Sequence, residues 1–237
     1  MKRSKTKISI VIPAYNEELR IQNTLSAYEW HFSRLYNAEF IVVCDGNTDK
    51  TPEIVGRYSK RHKHVRLLTF PVRLGKGGGL IQGLKFAKGE LIGFVDADSS
   101  TSTSDYEHLV KTLLKSRAGG AICSRYLKES HILIKQPFYR KFLSRGWNLL
   151  VRVLFGIPFT DTQCGAKIFK KQAIESVLPK MSAHGFEFDV ELLWRMHKAG
   201  YKITEVPTTW IHMEQSKFRV KDIVGMFLRL LKIRLSG

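Results

Sequence analysis

The first hundred residues alternate between two kinds of pattern. Short, continuously apolar runs at 7–12, 39–43, 65–70 and 91–95 are separated by longer stretches with helical spacing at 17–34, 52–61 and 78–87, and another such stretch follows at 105–116. Apolar runs without polar alternation read as strands buried on both faces. Strands separated by helices must cross over before they pair, so the expected fold class is α/β: a mostly parallel central sheet with helices on both faces. Thr51-Pro52 reads as an N-cap followed by proline at the first helical position. Ser104 with Glu107 reads as a capping box. The second half is less regular, with strands expected at 121–124, 164–169, 202–206 and 209–212 and helices at 137–155, 190–198 and 221–235. No internal repeat and no linker rich in Gly, Ser or Pro divides the chain, so a single domain over 1–237 is expected.

Charge narrows the partners. Lys and Arg number 39 against 21 acids, a net +18, with +6 in residues 1–100 and +12 in residues 101–237. Such a field attracts polyanions: nucleic acid, phosphorylated substrates or an anionic membrane. The cysteines Cys44, Cys123 and Cys164 are too few and too scattered for a disulfide framework or a zinc knuckle, which fits a reducing compartment. No run reaches the ~20 apolar residues of a membrane span, so no transmembrane segment is expected.

In a doubly wound sheet ligands bind beyond the carboxyl ends of the strands. The first run ends in Pro13-Ala14-Tyr15-Asn16-Glu17, the second in Cys44-Asp45-Gly46-Asn47 and the fourth in Asp96-Ala97-Asp98. Two carboxylates two residues apart on an extended chain reach one side and repel, which an oxygen-seeking divalent cation relieves. Mg²⁺ or Mn²⁺ on Asp96 and Asp98 is therefore expected, with a diphosphate as a natural third party. The glycine-rich, basic stretch Arg73–Gly79 reads as a loop whose amides approach an anion ahead of a helix. It fits neither G-x-G-x-x-G nor the Walker pattern, which counts against a dehydrogenase and a P-loop NTPase. The stretch 135–155 carries Lys135, Arg140, Lys141, Arg145 and Arg152, no acid and much apolar bulk. It and the amphipathic terminal stretch suit the interface of an anionic bilayer.

Together these residues resemble the inverting family 2 glycosyltransferases with a GT-A fold, and among them the polyprenyl-phosphate (dolichyl-phosphate) glucose and mannose synthases. The resemblance rests on the opening Ile10–Glu18, on Val42–Thr51, on Gly75–Gly78 and on Asp96-Ala97-Asp98. More specific are Asp161-Thr162-Gln163-Cys164-Gly165-Ala166-Lys167 and Phe186-Glu187-Phe188-Asp189-Val190-Glu191, which look closer to the glucosyl branch. It implies that Pro13, Ala14, Tyr15, Glu17 and Lys76 line the nucleotide sugar and that Asp45 meets the base. Asp96 and Ala97 would lie by the ribose, with Asp96 and Asp98 on the metal. Lys217 would meet the diphosphate from a closing segment, and Arg125, Arg140 and Ser144 the acceptor phosphate. Residues 1–120 would then hold the nucleotide sugar, and 121–237 the acceptor and the membrane. The chain departs from the family pattern at Cys44, Asn47, Ser100 and Met213.

The implied reaction moves a hexose, glucose before mannose, from UDP-glucose or GDP-mannose to a polyprenyl or dolichyl monophosphate. An enzyme with these partners is expected in the cytoplasm, peripheral on the cytoplasmic face of a membrane. Three other readings compete. A family 2 transferase acting on a carbohydrate or other hydroxyl would need a general base. A nucleic-acid-binding module fits the charge but shows no RRM, KH, helix-turn-helix or zinc pattern, so no nucleic-acid partner is expected. A catalytically silent scaffold of the same fold is a third.

Overall fold

The computed structural model describes residues 5–134, 138–211 and 222–236. The strands are β1 (Lys7–Pro13), β2 (Asn37–Asp45), β3 (Val65–Phe70), β4 (Leu91–Phe94), β5 (Gly120–Ser124), β6 (His131–Ile134), β7 (Lys167–Lys170), β8 (Ile203–Pro207) and β9 (Thr209–Ile211). The helices are α1 (Ile21–Leu35), α2 (Thr51–Arg61), α3 (Gly75–Phe86), α4 (Thr103–Lys115), α5 (Phe138–Phe155), α6 (Lys171–Val177), α7 (Phe188–Lys198) and α8 (Asp222–Ser236).

Seven strands form the main sheet in the order β3-β2-β1-β4-β7-β5-β8. All neighbours are parallel except β7, which runs antiparallel between β4 and β5. β6 and β9 pair separately. Alternation along β1 divides the core into two layers. Ile8, Ile10 and Ile12 pack with Leu25, Tyr28 and Phe32 of α1, Val55 of α2 and Leu109 and Leu113 of α4. Val11 faces the other layer, with Leu80 and Leu84 of α3, Val151 of α5, Ile174 of α6, Leu192 of α7 and Leu230 of α8. The expected α/β class with helices on both faces is what the chain adopts. Strand order reverses between β1 and β4, which places the crevice at their carboxyl ends.

Several local expectations give way to tertiary contacts. The first helix begins at Ile21, not 17, because the amides of Glu17 and Glu18 donate to Thr51 Oγ1 and Asp49 Oδ2 of the β2–α2 turn. Thr51 is consequently the first residue of α2, not its cap, and its amide donates to Asp49 Oδ1. Ser102, not Ser104, caps α4 by accepting from the Asp105 amide at 3.1 Å. The strand expected at 164–169 starts at Lys167, and β6 and α6 were not anticipated.

The glycine-rich stretch is the largest correction. Gly75 to Gly79 are the opening turn of α3, not a loop. A Cβ on Gly77 would lie 2.5 Å from the Ala183 carbonyl and 2.7 Å from Phe188 Cβ, so the glycines let α3 approach the segment before α7. The anion at this helix N-terminus is the protein's own: Asp45 Oδ2 accepts from the Leu74 amide at 2.7 Å and the Gly75 amide at 3.0 Å.

Candidate active site at the carboxyl edge of the sheet

Three loops meet beyond β1, β2 and β4. Asn16, at φ 53°, and Thr48 exchange two hydrogen bonds, and Asn47 Nδ2 donates to the Ala14 carbonyl at 3.0 Å. Asn47, where the family pattern has serine, thus ties the first loop to the second. Cys44 sits in the α1-side core, and burial, then the Asp45 and Asp49 charges, pushes its thiol up to about 12. It is a neutral packing residue. Its neighbour Asp45 is also buried, and Arg73 joins the two amides on its Oδ2. The Arg73 guanidinium lies 3.8 Å above the Tyr15 ring. Tyr15, Arg73 and Asp45 therefore form one cluster, while the Glu17 carboxylate pairs with Arg20.

Beyond β4, Ala97 is buried while Asp96 and Asp98 are partly open. The turn is fixed by Thr24 Oγ1, which lies 2.8 Å from the Ala97 carbonyl and 2.6 Å from Ser99 Oγ, with Ser99 at φ 60°. Asp98 Oδ1 accepts from the Ser100 amide at 3.0 Å. Burial and then the Asp96 charge push the Asp98 carboxyl up. For Asp96, burial works upward, but the Lys76 ammonium more than reverses it and holds the carboxyl below its usual range. Two oxygen donors on one short turn, one without an ion pair among the described residues, fit a hard divalent cation such as Mg²⁺ or Mn²⁺.

Lys76 does not project into a phosphate cradle. Its Nζ is 2.8 Å from Asp96 Oδ1 and 3.7 Å from Asp189 Oδ2, and Lys167 Nζ is 2.6 Å from Asp189 Oδ1. Asp96, Lys76, Asp189 and Lys167 thus form an alternating chain of charge running into the core. Burial lowers the affinity of Lys76 for its proton, yet the two carboxylates raise it above the ordinary lysine value. The sequence carried a signal for the inner end: Lys167 interrupts the apolar stretch 164–169.

Gly165 backs the other side of Asp96. A Cβ there would be 1.8 Å from Asp96 Oδ2. Gly165→Ala must therefore swing the Asp96 carboxylate off Lys76, and steady-state assay should show kcat lower by about 10²-fold, the scale of an ångström's misplacement. A kcat within about threefold of the parent would mean that Asp96 is not held for catalysis.

On the neighbouring wall, Arg125 is clamped by Asp161 through Nε at 2.7 Å, Nη2 at 2.9 Å and the Arg125 amide at 3.0 Å. Burial works to raise the Asp161 carboxyl, and Arg125 more than reverses it. Glu205 in turn accepts from the Thr160 and Asp161 amides. Ser144 Oγ and the Tyr126 hydroxyl are 2.6 Å apart, with the Arg145 guanidinium 5.9 Å from the Tyr126 ring. The structure therefore brings Arg125 and Ser144 to the same wall through Tyr126. The side chains of Arg140 and Lys141, and Lys135, Met213 and Lys217 altogether, lie outside the described residues. Sequence reading did not single out Tyr126, Asp189 or Gly165 as site residues, although Asp189 and Gly165 lie in the motifs that carry the resemblance and Tyr126 follows Arg125.

Comparison with known proteins narrows the reading. The model for "Glycosyl transferase family 2" matches residues 9–178. Dolichyl-phosphate beta-glucosyltransferase ALG5D of Trichomonas vaginalis is 33% identical, over 95% of this chain and 72% of its own length. The Homo sapiens dolichyl-phosphate beta-glucosyltransferase is 32% identical, over 90% and 70%. Among solved structures, glucosyl-3-phosphoglycerate synthase of Mycobacterium tuberculosis, in complex with Mn²⁺, UDP and glucosyl-3-phosphoglycerate, superimposes with a TM-score of 0.70 at 20% identity, covering 98% of this chain and 79% of that one. That likeness is one of fold.

Proposed function

The chain belongs to glycosyl transferase family 2, and from that membership we propose that it transfers glucose from UDP-glucose to a polyprenyl monophosphate of the dolichyl type, inverting C1. One observation carries this beyond the family. Among the described residues at the edge, Glu17, Asp45, Asp96, Asp161, Asp189 and Glu205 are each engaged by a cation or by several donated hydrogen bonds, while Asp98 accepts from the Ser100 amide alone and in this reading is taken up by the metal. A hydroxyl acceptor would need a free base. A phosphate monoester is already largely ionised at neutral pH, its second pKa being about 6, and needs none.

In this reading the nucleotide lies along Pro13, Ala14 and Tyr15, with its base toward Asp45 and Arg73 and its ribose toward Asp96 and Ala97. A divalent cation, Mg²⁺ or Mn²⁺, held by Asp96 and Asp98, supplies charge neutralisation for the leaving diphosphate. Lys76 keeps Asp96 in place, and Lys217 is proposed to meet the diphosphate. The acceptor phosphate approaches the wall of Arg125 and Ser144, with Arg140 proposed as a further partner, and attacks C1 from the face opposite the diphosphate. UDP departs with the bonding electrons, and no proton moves. Arg125, already clamped by Asp161, is a fixed rather than a mobile donor.

The lipid is met at the cytoplasmic face of a membrane. Leu149, Leu150 and Val153 of α5 are exposed beside Arg145 and Arg152, and Val224, Leu228 and Leu235 of α8 beside Lys232 and Arg234. Apolar bulk flanked by cations suits an anionic interface. Among the described residues no helix is long and apolar enough to cross a membrane. In this account 1–237 works as one domain, with donor and acceptor halves. Labelled UDP-glucose, a polyprenyl phosphate and Mg²⁺ should yield butanol-soluble label, with GDP-mannose giving little. Donor hydrolysis without lipid product, or preference for GDP-mannose, would contradict the assignment.

A further inference from the structure

One cluster of ligating side chains plays no part in the transfer. Glu29 of α1, His62 after α2 and His64 before β3 place a carboxylate oxygen and two ring nitrogens within 4.8 Å of one another. The geometry points to a second metal site here, of a different class from the carboxylate pair: a Zn²⁺ ion bound by Glu29 Oε1, His62 Nδ1 and His64 Nε2, with water in the fourth position.

The donor chemistry selects the ion. Two imidazoles and one carboxylate are a ligand set of four-coordinate zinc, whereas Mg²⁺ and Ca²⁺ take oxygen. Glu29 Oε1 lies 2.7 Å from His64 Nε2 and 3.6 Å from His62 Nδ1. The first is a hydrogen bond; the second is too long for one, so His62 faces that oxygen without bonding to it. A metal between the three atoms gives both rings a partner.

Surrounding groups orient the ligands as outer partners do in metal sites. The Tyr58 hydroxyl donates to Glu29 Oε2 at 3.3 Å, which leaves Oε1 toward the rings. The Tyr58 ring stacks on His62 at 4.1 Å, nearly parallel, and fixes its plane. The ion takes the place of the Glu29–His64 hydrogen bond and of the Ser33 Oγ contact, 3.3 Å from His64 Nε2. Both histidine side chains are about one-third exposed, at 33% and 35%, so an ion can enter.

The site lies away from the carboxyl edge. His64 precedes Val65, which pairs with Phe40, while the same two strands end at Phe70 paired with Asp45, roughly 17 Å further on. Zinc here would tie α1 to the α2–β3 turn and brace the edge strand β3. Its role is to stabilise, since an ion that binds only the folded chain raises its melting temperature.

The test is calorimetric titration of Zn²⁺ into the metal-free chain of residues 1–237, with melting curves. A single equivalent should bind, raise the melting temperature and bind equally in Asp98→Asn. Co²⁺ in its place should give the visible absorption of a four-coordinate N/O site. His62→Ala/His64→Ala should abolish binding, and Tyr58→Phe should weaken it about tenfold. Glu29→Gln retains a hydrogen-bonding side chain, so its loss of binding reports on the ligand if the double variant folds poorly. No Zn²⁺ binding by the parent chain, or binding that survives in Glu29→Gln and disappears in Asp98→Asn, would overturn the assignment.

Discussion

Asp98→Asn is expected to lower glucosyl transfer by about 10²–10³-fold, ~3–4 kcal/mol of transition-state stabilisation, while leaving the fold at least as stable. The two halves of this result have separate causes. Burial and the neighbouring Asp96 push the Asp98 carboxyl up, so folding works against its charge and a neutral amide relieves that cost. The Ser100 amide that donates to Asp98 Oδ1 at 3.0 Å finds an acceptor oxygen in asparagine as well. What disappears is one negative charge at the place where a cation and a diphosphate must be held. The fall should therefore appear in kcat at saturating donor and be partly offset by raising Mg²⁺. Transfer within about threefold of the parent would remove Asp98 from the reaction.

Asp189→Ala should cost the fold more than any other single change considered. Lys167 is fully buried, and Asp189 Oδ1 at 2.6 Å supplies its counter-charge; the Cys164 carbonyl is its other hydrogen-bond acceptor. Breaking a buried pair from one side leaves an uncompensated charge, which costs about 3–5 kcal/mol. For a chain of this size that is roughly 10 °C in melting temperature. Replacing both partners with apolar residues, as in Asp189→Leu/Lys167→Met, should recover most of the stability, because the second change removes the stranded ammonium. Activity should not return with it, since Lys76 still lacks the carboxylate 3.7 Å away that helps seat it against Asp96. A single variant melting within about 2 °C of the parent would contradict this account of the buried chain.

The parts of the architecture legible in the sequence are those decided locally. Runs such as 91–95 read as strands because every residue is apolar, and Asp45, Asp96 and Asp98 mark their ends. The antiparallel seat of β7 between β4 and β5 is a long-range pairing that no local pattern encodes. The opening turn of α3 was misread for a related reason. Four glycines in five residues, of low helix propensity, read as a loop, but Gly77 is glycine because the Ala183 carbonyl approaches so closely. The cap of α4 could not be chosen among Ser100, Ser102 and Ser104 by spacing alone. Ser102 wins in a network where Asp105 Oδ2 also accepts from the Thr209 amide. Asp96 and Asp98 were legible as a pair, but their different states were not. One is held by Lys76 and Gly165 and the other is open, and both partners come from outside β4.

In the proposed reaction a phosphate oxygen attacks C1 of UDP-glucose directly. The most direct test uses UDP-glucose labelled with ¹³C at C1, a short polyprenyl phosphate and Mg²⁺, with the product followed by NMR. The account predicts a product whose C1 is β and couples to phosphorus of the lipid phosphate. An α-configured C1, or a C1 joined to a hydroxyl oxygen of lipid, sugar or water, would contradict it.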